Sequence, residues 1–132
     1  MVRTHRRAGY CAYIATSRGV ISVRLRPEYG PKAVNDFVYL ASHGFYDGLT
    51  FYQVCPDAAG PAMASIAIAG DSTGTGTGGP GYTVKADAVV GKYLYGAVAM
   101  YSDSSTIGSQ FFVSTGANSS LARKYDIFGP GD

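Results

Sequence analysis

The chain has 132 residues, of which 46% are hydrophobic and 15% charged, so it is long enough for one domain with a buried core. This balance excludes an intrinsically disordered chain, and no apolar run approaches the ~20 residues that a membrane-spanning helix needs. Its 18 glycines and 11 tyrosines favour short strands and turns over a bundle of helices.

The net charge of +2 is unevenly distributed along the chain. Residues 1–26 contain six arginines and no acidic residue, whereas the rest has five basic residues against nine acidic ones. We interpret residues 1–9 as a basic N-terminal arm that precedes one domain formed by residues 10–132. Such an arm is able to contact nucleic acid or an acidic surface, but a solvated segment is the simpler interpretation, and nucleic acid is not an expected partner.

The first residues have a faint likeness to a signal peptide, since a basic segment precedes the apolar residues 8–15. That apolar stretch includes two tyrosines and a cysteine and continues into a predicted strand. We therefore predict no signal peptide, and a cytoplasmic location is favoured.

The first predicted element is a β-hairpin. Residues 10–16 form its first strand, residues 17–19 its tight turn, and residues 21–25 its second strand, in which apolar and polar side chains alternate. Pro27 ends the hairpin.

An amphipathic helix is predicted next, over about residues 31–43. Pro31 suits the first helical position, and Gly44 suits the residue that follows a helix end. Apolar side chains recur at helical spacing on one face, at Val34, Phe37, Val38 and Ala41, with Leu40 at its edge.

The remainder of the chain contains short segments typical of strands. We predict them within residues 49–55, 65–69, 96–101, 110–114 and 125–128. The glycine-threonine loop over residues 71–81 lacks the lysine and the following helix of a phosphate-binding loop. The cysteines and histidines show no metal-ligand spacing, so neither a metal nor a cofactor is predicted.

Three motifs resemble the cyclophilins, a family of β-barrel peptidyl-prolyl isomerases. They are Gly-Phe-Tyr-Asp-Gly-Leu-Thr-Phe at residues 44–51, the glycine-threonine ladder at 74–82 and Gly-Ser-Gln-Phe-Phe at 108–112. The resemblance implies a mainly β fold, an antiparallel barrel with the helix at one mouth. It also implies an insertion around residues 57–64. Because the family continues past the point at which this sequence stops, the barrel is expected to lack the final strand and the second helix.

The same resemblance assigns a substrate groove. A cyclophilin holds a proline ring in an apolar pocket while an arginine donates to the proline nitrogen, with no covalent step and no cofactor. The arginine position is Gln53 here, which predicts impaired catalysis. The groove positions that match the family are Gln110, Phe112 and Leu121. Those that depart from it, or fall on other residue types, are Ser65, Ile66, Ile68, Tyr101, Ser102, Asp103, Ser120 and Tyr125.

These positions also have a purely structural interpretation. A barrel needs apolar residues such as Phe112 and Leu121 in any case, and Gln110 suits a strand through its hydrogen bonds. Both interpretations stay open at this stage.

The sequence therefore predicts a structural or proline-peptide-binding component of a larger protein assembly, with weak or lost isomerase activity. A partner is expected to cover the open edge of the barrel, because unpaired strand edges pair with other chains. The alternative is an active cyclophilin-type isomerase that assists protein folding.

Overall fold

The structure of the protein is a computed structural model that describes residues 2–6, 10–17, 19–51, 53–55, 66–74, 78–87, 96–101, 106–115, 125 and 127–129. These residues form ten strands and one helix: β1 Val2–Arg6, β2 Tyr10–Thr16, β3 Gly19–Leu25, α1 Pro31–Ser42, β4 Gln53–Cys55, β5 Ile66–Ala69, β6 Val84–Lys85, β7 Val98–Met100, β8 Thr106–Ile107, β9 Phe111–Ser114 and β10 Ile127–Gly129. The predicted fold class, mainly antiparallel β with one amphipathic helix, is confirmed.

The predicted hairpin is present as β2 and β3, which pair from Tyr10 opposite Leu25 to Thr16 opposite Gly19. Their alternating pattern places Val23 and Leu25 in the core, where they are 7% and 1% exposed. β1, in the segment that we interpreted as a basic N-terminal arm, pairs with the other side of β2. The three strands form one sheet in the order β1-β2-β3.

The helix lies where the apolar spacing predicts it, and it ends one residue early, at Ser42. Its C-terminus is a Schellman motif, because the Gly44 N–H donates to the Ala41 carbonyl and the Phe45 N–H donates to the Leu40 carbonyl. Gly44 has φ +73°, a conformation that glycine adopts without strain. At 12 residues α1 is too short to cross a membrane, and no other helix in the described ranges is long and apolar enough to do so.

A distant side chain caps the N-terminus of α1, since Gly30 at the N-cap has no side chain with which to do so. Asp87 accepts hydrogen bonds from the backbone N–H groups of Lys32 and Ala33, both at 3.1 Å to Oδ2. The carboxylate lies where the helix dipole favours negative charge. It fastens the segment around β6 to the start of the helix.

The largest sheet has five strands in the order β10-β7-β9-β5-β4 and carries a different cluster on each face. On one face Phe111 belongs to the main core, and its ring contacts that of Phe37 of α1 edge-on at 5.3 Å. On the opposite face lies a second group, here called the outer cluster, formed by Ile66, Ile68, Ala99, Phe112 and Ile127. Residues alternate between these faces along each strand, so Phe111 and Phe112 serve different clusters.

The two larger sheets meet where the Arg26 N–H donates to the Phe128 carbonyl at 2.8 Å. Elsewhere between them lies a cavity of about 680 Å³, which is mostly apolar. It is lined from the hairpin by Ile14 and Ile21 and from the five-stranded sheet by Phe111 and Val113. A third sheet, β6-β8, was not predicted, because two residues per strand give no periodic signal.

Candidate functional site

The strand register brings position 53 and Phe112 into one row across the five-stranded sheet. Gln53 pairs with Ile68, Ile68 pairs with Phe112, and Phe112 pairs in turn with Ala99. Neighbouring strands lie about 4.8 Å apart, so the backbone at position 53 lies roughly 10 Å from that of Phe112. This spacing is compatible with one bound residue that reaches both positions.

Three aromatic rings form the centre of this face. The Phe112 side chain is 0% exposed, and its ring lies 5.3 Å from that of Tyr125 and 6.3 Å from that of Tyr101, measured between centroids. Both tyrosine rings stand nearly perpendicular to Phe112, at 88° and 85°, in the edge-to-face arrangement that aromatic pairs prefer. The tyrosines themselves are stacked at 5.6 Å and 15°.

Gln110 lies one residue before β9 and links the site to the glycine-threonine loop. Its side-chain Nε2 donates to the Gly78 carbonyl at 3.0 Å, while its backbone carbonyl accepts from the Tyr101 N–H at 2.8 Å. The carboxamide is half-buried. Its donor therefore fixes the position of the loop beside the site.

The start of the same loop packs tightly against the residue before Gln110. The Ser109 hydroxyl donates to the Gly70 carbonyl at 2.6 Å, and both residues are buried. Gly70 has φ +97°, and a side chain there would meet the Gln110 Cα at 2.9 Å. Asp71, 2% exposed, accepts from the backbone N–H and the hydroxyl of Thr73, each at 2.8 Å.

The far end of the loop is attached to α1 through a buried acid. The Tyr82 hydroxyl donates to Asp36 Oδ1 at 2.7 Å, and Asp36 is only 5% exposed. Its Oδ2 is buried and has no hydrogen-bond partner among the described residues. Burial raises the pKa of Asp36 to about 6, against the opposing effect of the Tyr82 hydrogen bond.

Two tyrosine hydroxyls near this acid stay protonated. Burial raises the pKa of Tyr82 above its ordinary value, and the hydrogen bond to Asp36 raises it further. Burial likewise raises the pKa of Tyr46, whose hydroxyl donates to the Ser109 carbonyl at 3.0 Å. Both groups act as fixed hydrogen-bond donors at neutral pH.

Comparison with known proteins identifies the family. Residues 11–130 match the family model described as cyclophilin type peptidyl-prolyl cis-trans isomerase/CLD. The chain belongs to this family.

The relatives of this cyclophilin-type chain differ widely in length. Peptidyl-prolyl cis-trans isomerase B of Bacillus subtilis is 38% identical over 112 residues, which are 83% of this chain and 73% of that protein. Peptidyl-prolyl cis-trans isomerase CYP57 of Arabidopsis thaliana is 36% identical over 123 residues, 88% of this chain but only 23% of its own length. In that relative the matched region is therefore a minor part of a longer chain.

A solved structure is similar as well. It is a cyclophilin-type peptidyl-prolyl cis-trans isomerase of Cryptosporidium parvum, crystallised in the presence of the dipeptide Ala-Pro. The TM-score is 0.75 at 28% identity, and the match covers 92% of this chain and 78% of the other.

Of the residues predicted for the groove of this cyclophilin-type domain, the structure brings several together. Phe112 and Ile66 belong to the outer cluster, and Tyr125 packs against it. Position 53 lies in the Phe112 row, and Gln110 is two residues before Phe112 in the sequence. Five of the predicted groove residues lie outside the described ranges, namely Ser65, Ser102, Asp103, Ser120 and Leu121. The predicted insertion around residues 57–64 also lies outside them.

Sequence reasoning missed two features of this region. Tyr101 was noted only as a replacement within a family motif, although an aromatic residue directly after a buried strand is a sign of packing on that face. Asp36 gave no signal, because a carboxylate beside an apolar stripe is ordinarily solvated. Within the ranges that the structure describes, no three His, Cys, Asp or Glu side chains form a group able to hold a metal ion.

Proposed function

We propose that this chain is a cyclophilin-type domain that binds proline-containing peptides or proteins with weak isomerase activity, as a component of a larger assembly. The observation that carries the proposal is Gln53, a neutral residue in the row of Phe112 at the family's arginine position. The family supplies the ligand class, and the similar structure from Cryptosporidium parvum was crystallised with a prolyl dipeptide.

The weak activity follows from how the reaction is accelerated. Rotation about a prolyl bond is slow because amide resonance stiffens the C–N bond, with a barrier near ~18–20 kcal/mol. A binding site lowers that barrier only where it holds the twisted amide more tightly than the planar one. A donor aimed at the developing lone pair supplies this difference, and losing one such donor typically costs about 2.7–4 kcal/mol.

Glutamine replaces that donor poorly. Its carboxamide is neutral and shorter than arginine, and it lacks the fork of charged N–H groups. The outer cluster still offers buried apolar surface around Phe112, so binding of a proline ring requires no charge at position 53. Binding without efficient turnover is the expected combination.

An assay on a proline-containing tetrapeptide such as Ala-Ala-Pro-Phe tests this function. We expect kcat/KM for cis–trans exchange about 100-fold or more below that of the Bacillus subtilis isomerase assayed in parallel, with peptide binding still visible by NMR titration. Turnover comparable with that enzyme would contradict the weak activity. Absence of binding at millimolar peptide would contradict the peptide-binding function.

The proposed role in an assembly is supported by the open side of the barrel. Among the described strands, β1, β3, β4 and β10 end the two larger sheets with one neighbour each. The Arg26–Phe128 hydrogen bond joins the β3 and β10 ends, whereas no hydrogen bond between described residues joins β1 to β4, and the apolar cavity lies between the two sheets. Unpaired strand edges and apolar cavities are both favourable places for a partner segment. We expect the isolated chain to self-associate or to capture a partner in size-exclusion chromatography; a stable compact monomer at high concentration counts against this role.

A further inference from the structure

The outer cluster is closed over in the structure. Its five core members are between 0% and 6% exposed, so an approaching ligand meets none of them first. The residues that pack against this core and remain half-exposed are Tyr29, Tyr101 and Tyr125. Of these, Tyr101 and Tyr125 contact the Phe112 ring directly, and we call this pair the tyrosine lid.

The geometry of the lid leaves no room for a ligand ring between the two tyrosine rings. The two tyrosine rings are parallel within 15°, and their centroids are 5.6 Å apart. A ligand ring stacked between them would contact both at ordinary carbon–carbon distances, which requires the tyrosine centroids to be about 7–8 Å apart. Both tyrosine rings pack against the Phe112 ring at close to a right angle.

Rotation of the Tyr101 side chain is the motion that would open the lid. The backbone there is fixed, because the Tyr101 N–H donates to the Gln110 carbonyl at 2.8 Å directly beyond β7. The ring is half-exposed, so it can turn toward solvent without displacing the sheet. Rotation would separate the stacked pair and uncover one side of Phe112.

We infer that Tyr101 and Tyr125 form a self-closing lid that competes with the proline ring for Phe112 and thereby sets the affinity and selectivity of the site. The inference rests on the proposed binding of proline-containing peptides and adds to it that the free protein is predominantly closed. A ligand that binds only the open state has its apparent affinity reduced by the open fraction. Ligands with an aromatic group next to proline gain most, since that group replaces the tyrosine contact that opening breaks.

The size of the effect follows from the contacts that hold Tyr101 closed. Opening breaks at least two ring–ring contacts, one to Phe112 and one to Tyr125. Contacts of this kind together correspond to about a tenfold ratio of closed to open states. Removing the Tyr101 ring should therefore raise the affinity for a prolyl peptide by about tenfold.

The experiment is an NMR titration of the whole chain with acetyl-Ala-Ala-Pro-Phe-amide. The variants are Tyr101→Ala, Tyr125→Ala and, as a matched control, Tyr39→Ala, which removes a 52% exposed tyrosine from α1. We expect the Tyr101 and Tyr125 variants to bind about tenfold more tightly than the wild type, and the Tyr39 variant to be unchanged. Near-UV circular dichroism verifies folding, and the Tyr125 variant opens the same contact should the Tyr101 variant fail to fold.

The wild type supplies a second readout that needs no substitution. Ring-to-ring nuclear Overhauser contacts between Tyr101 and Phe112 should be present in the free protein and lost at saturating peptide. Persistence of these Overhauser contacts in the bound state would contradict the lid but not the binding of peptide. The same holds if the lid variants bind peptide no more tightly than the wild type. Binding by the lid variants but not by the wild type supports the lid and contradicts the proposed function; no binding by any variant overturns both.

Discussion

Replacing Gln53 with arginine should raise the isomerase activity of this domain by about 100-fold, because it returns a charged donor to the row that contains Phe112. The substitution lies on β4, which is the last strand in the order of the five-stranded sheet. The guanidinium remains charged at every accessible pH and presents several N–H donors in a fixed plane. Those donors favour the twisted amide over the planar one.

The decisive comparison is between Gln53→Arg and Gln53→Lys. Lysine carries the same charge without the planar fork, so an effect of charge alone raises the activity of both variants equally. NMR line-shape analysis of cis–trans exchange in the same tetrapeptide gives kcat/KM for each variant. We expect a gain for arginine at least tenfold above that for lysine. An arginine variant that binds peptide normally but turns over no faster would show that position 53 does not reach the proline nitrogen.

The tyrosine lid and the donor at position 53 act on different steps, so a double variant distinguishes their effects. Tyr101→Ala changes the fraction of protein that is able to bind, whereas Gln53→Arg changes the stability of the twisted amide once it is bound. In the double variant the two gains should therefore multiply. Non-multiplicative gains would mean that the two positions touch each other through the ligand.

The parts of this fold that sequence predicts are those fixed by short-range signals. The β2–β3 hairpin follows from strict alternation, and α1 follows from helical spacing between Pro31 and Gly44. β1 was not predicted because residues 1–9, which are rich in arginine, show no strand pattern of their own. The strand is stabilised by pairing with β2. Tertiary pairing of that kind leaves no local pattern.

The candidate site likewise has features that the sequence predicts and features that it does not. The position of Phe112 follows from a motif, and its alignment with Gln53 follows from two successive strand pairs, β4–β5 and β5–β9. The closure of the site by Tyr101 and Tyr125 does not follow from any sequence pattern. Those residues are 24 positions apart in the sequence and meet only on the folded sheet. Contacts between residues distant in sequence are set by topology, which a local pattern does not contain.

Replacing Asp36 with asparagine should remove a pH dependence of stability that the buried carboxylate creates. Its pKa is about 6 in the folded protein and near the ordinary 3.8 when unfolded, so between those values the folded state binds a proton that the unfolded state has released. The free energy of unfolding is therefore highest below about pH 4 and falls as the pH rises through 6. This difference between the folded and unfolded pKa values of Asp36 corresponds to about 3 kcal/mol in the free energy of unfolding.

Above pH 6 the wild type thus holds a buried anion with one described donor, the Tyr82 hydroxyl. Asparagine keeps the acceptor for that hydroxyl and carries no charge, so we expect Asp36→Asn to be about 2–3 kcal/mol more stable than the wild type at pH 7.5 and nearly equal to it at pH 4. Urea unfolding at a series of pH values measures the difference, with the exposed Asp47→Asn as the matched control. A difference between the wild type and Asp36→Asn that is independent of pH would mean that Asp36 has the same pKa in the folded and unfolded states. The loop would then be held to α1 by a charged hydrogen bond at neutral pH.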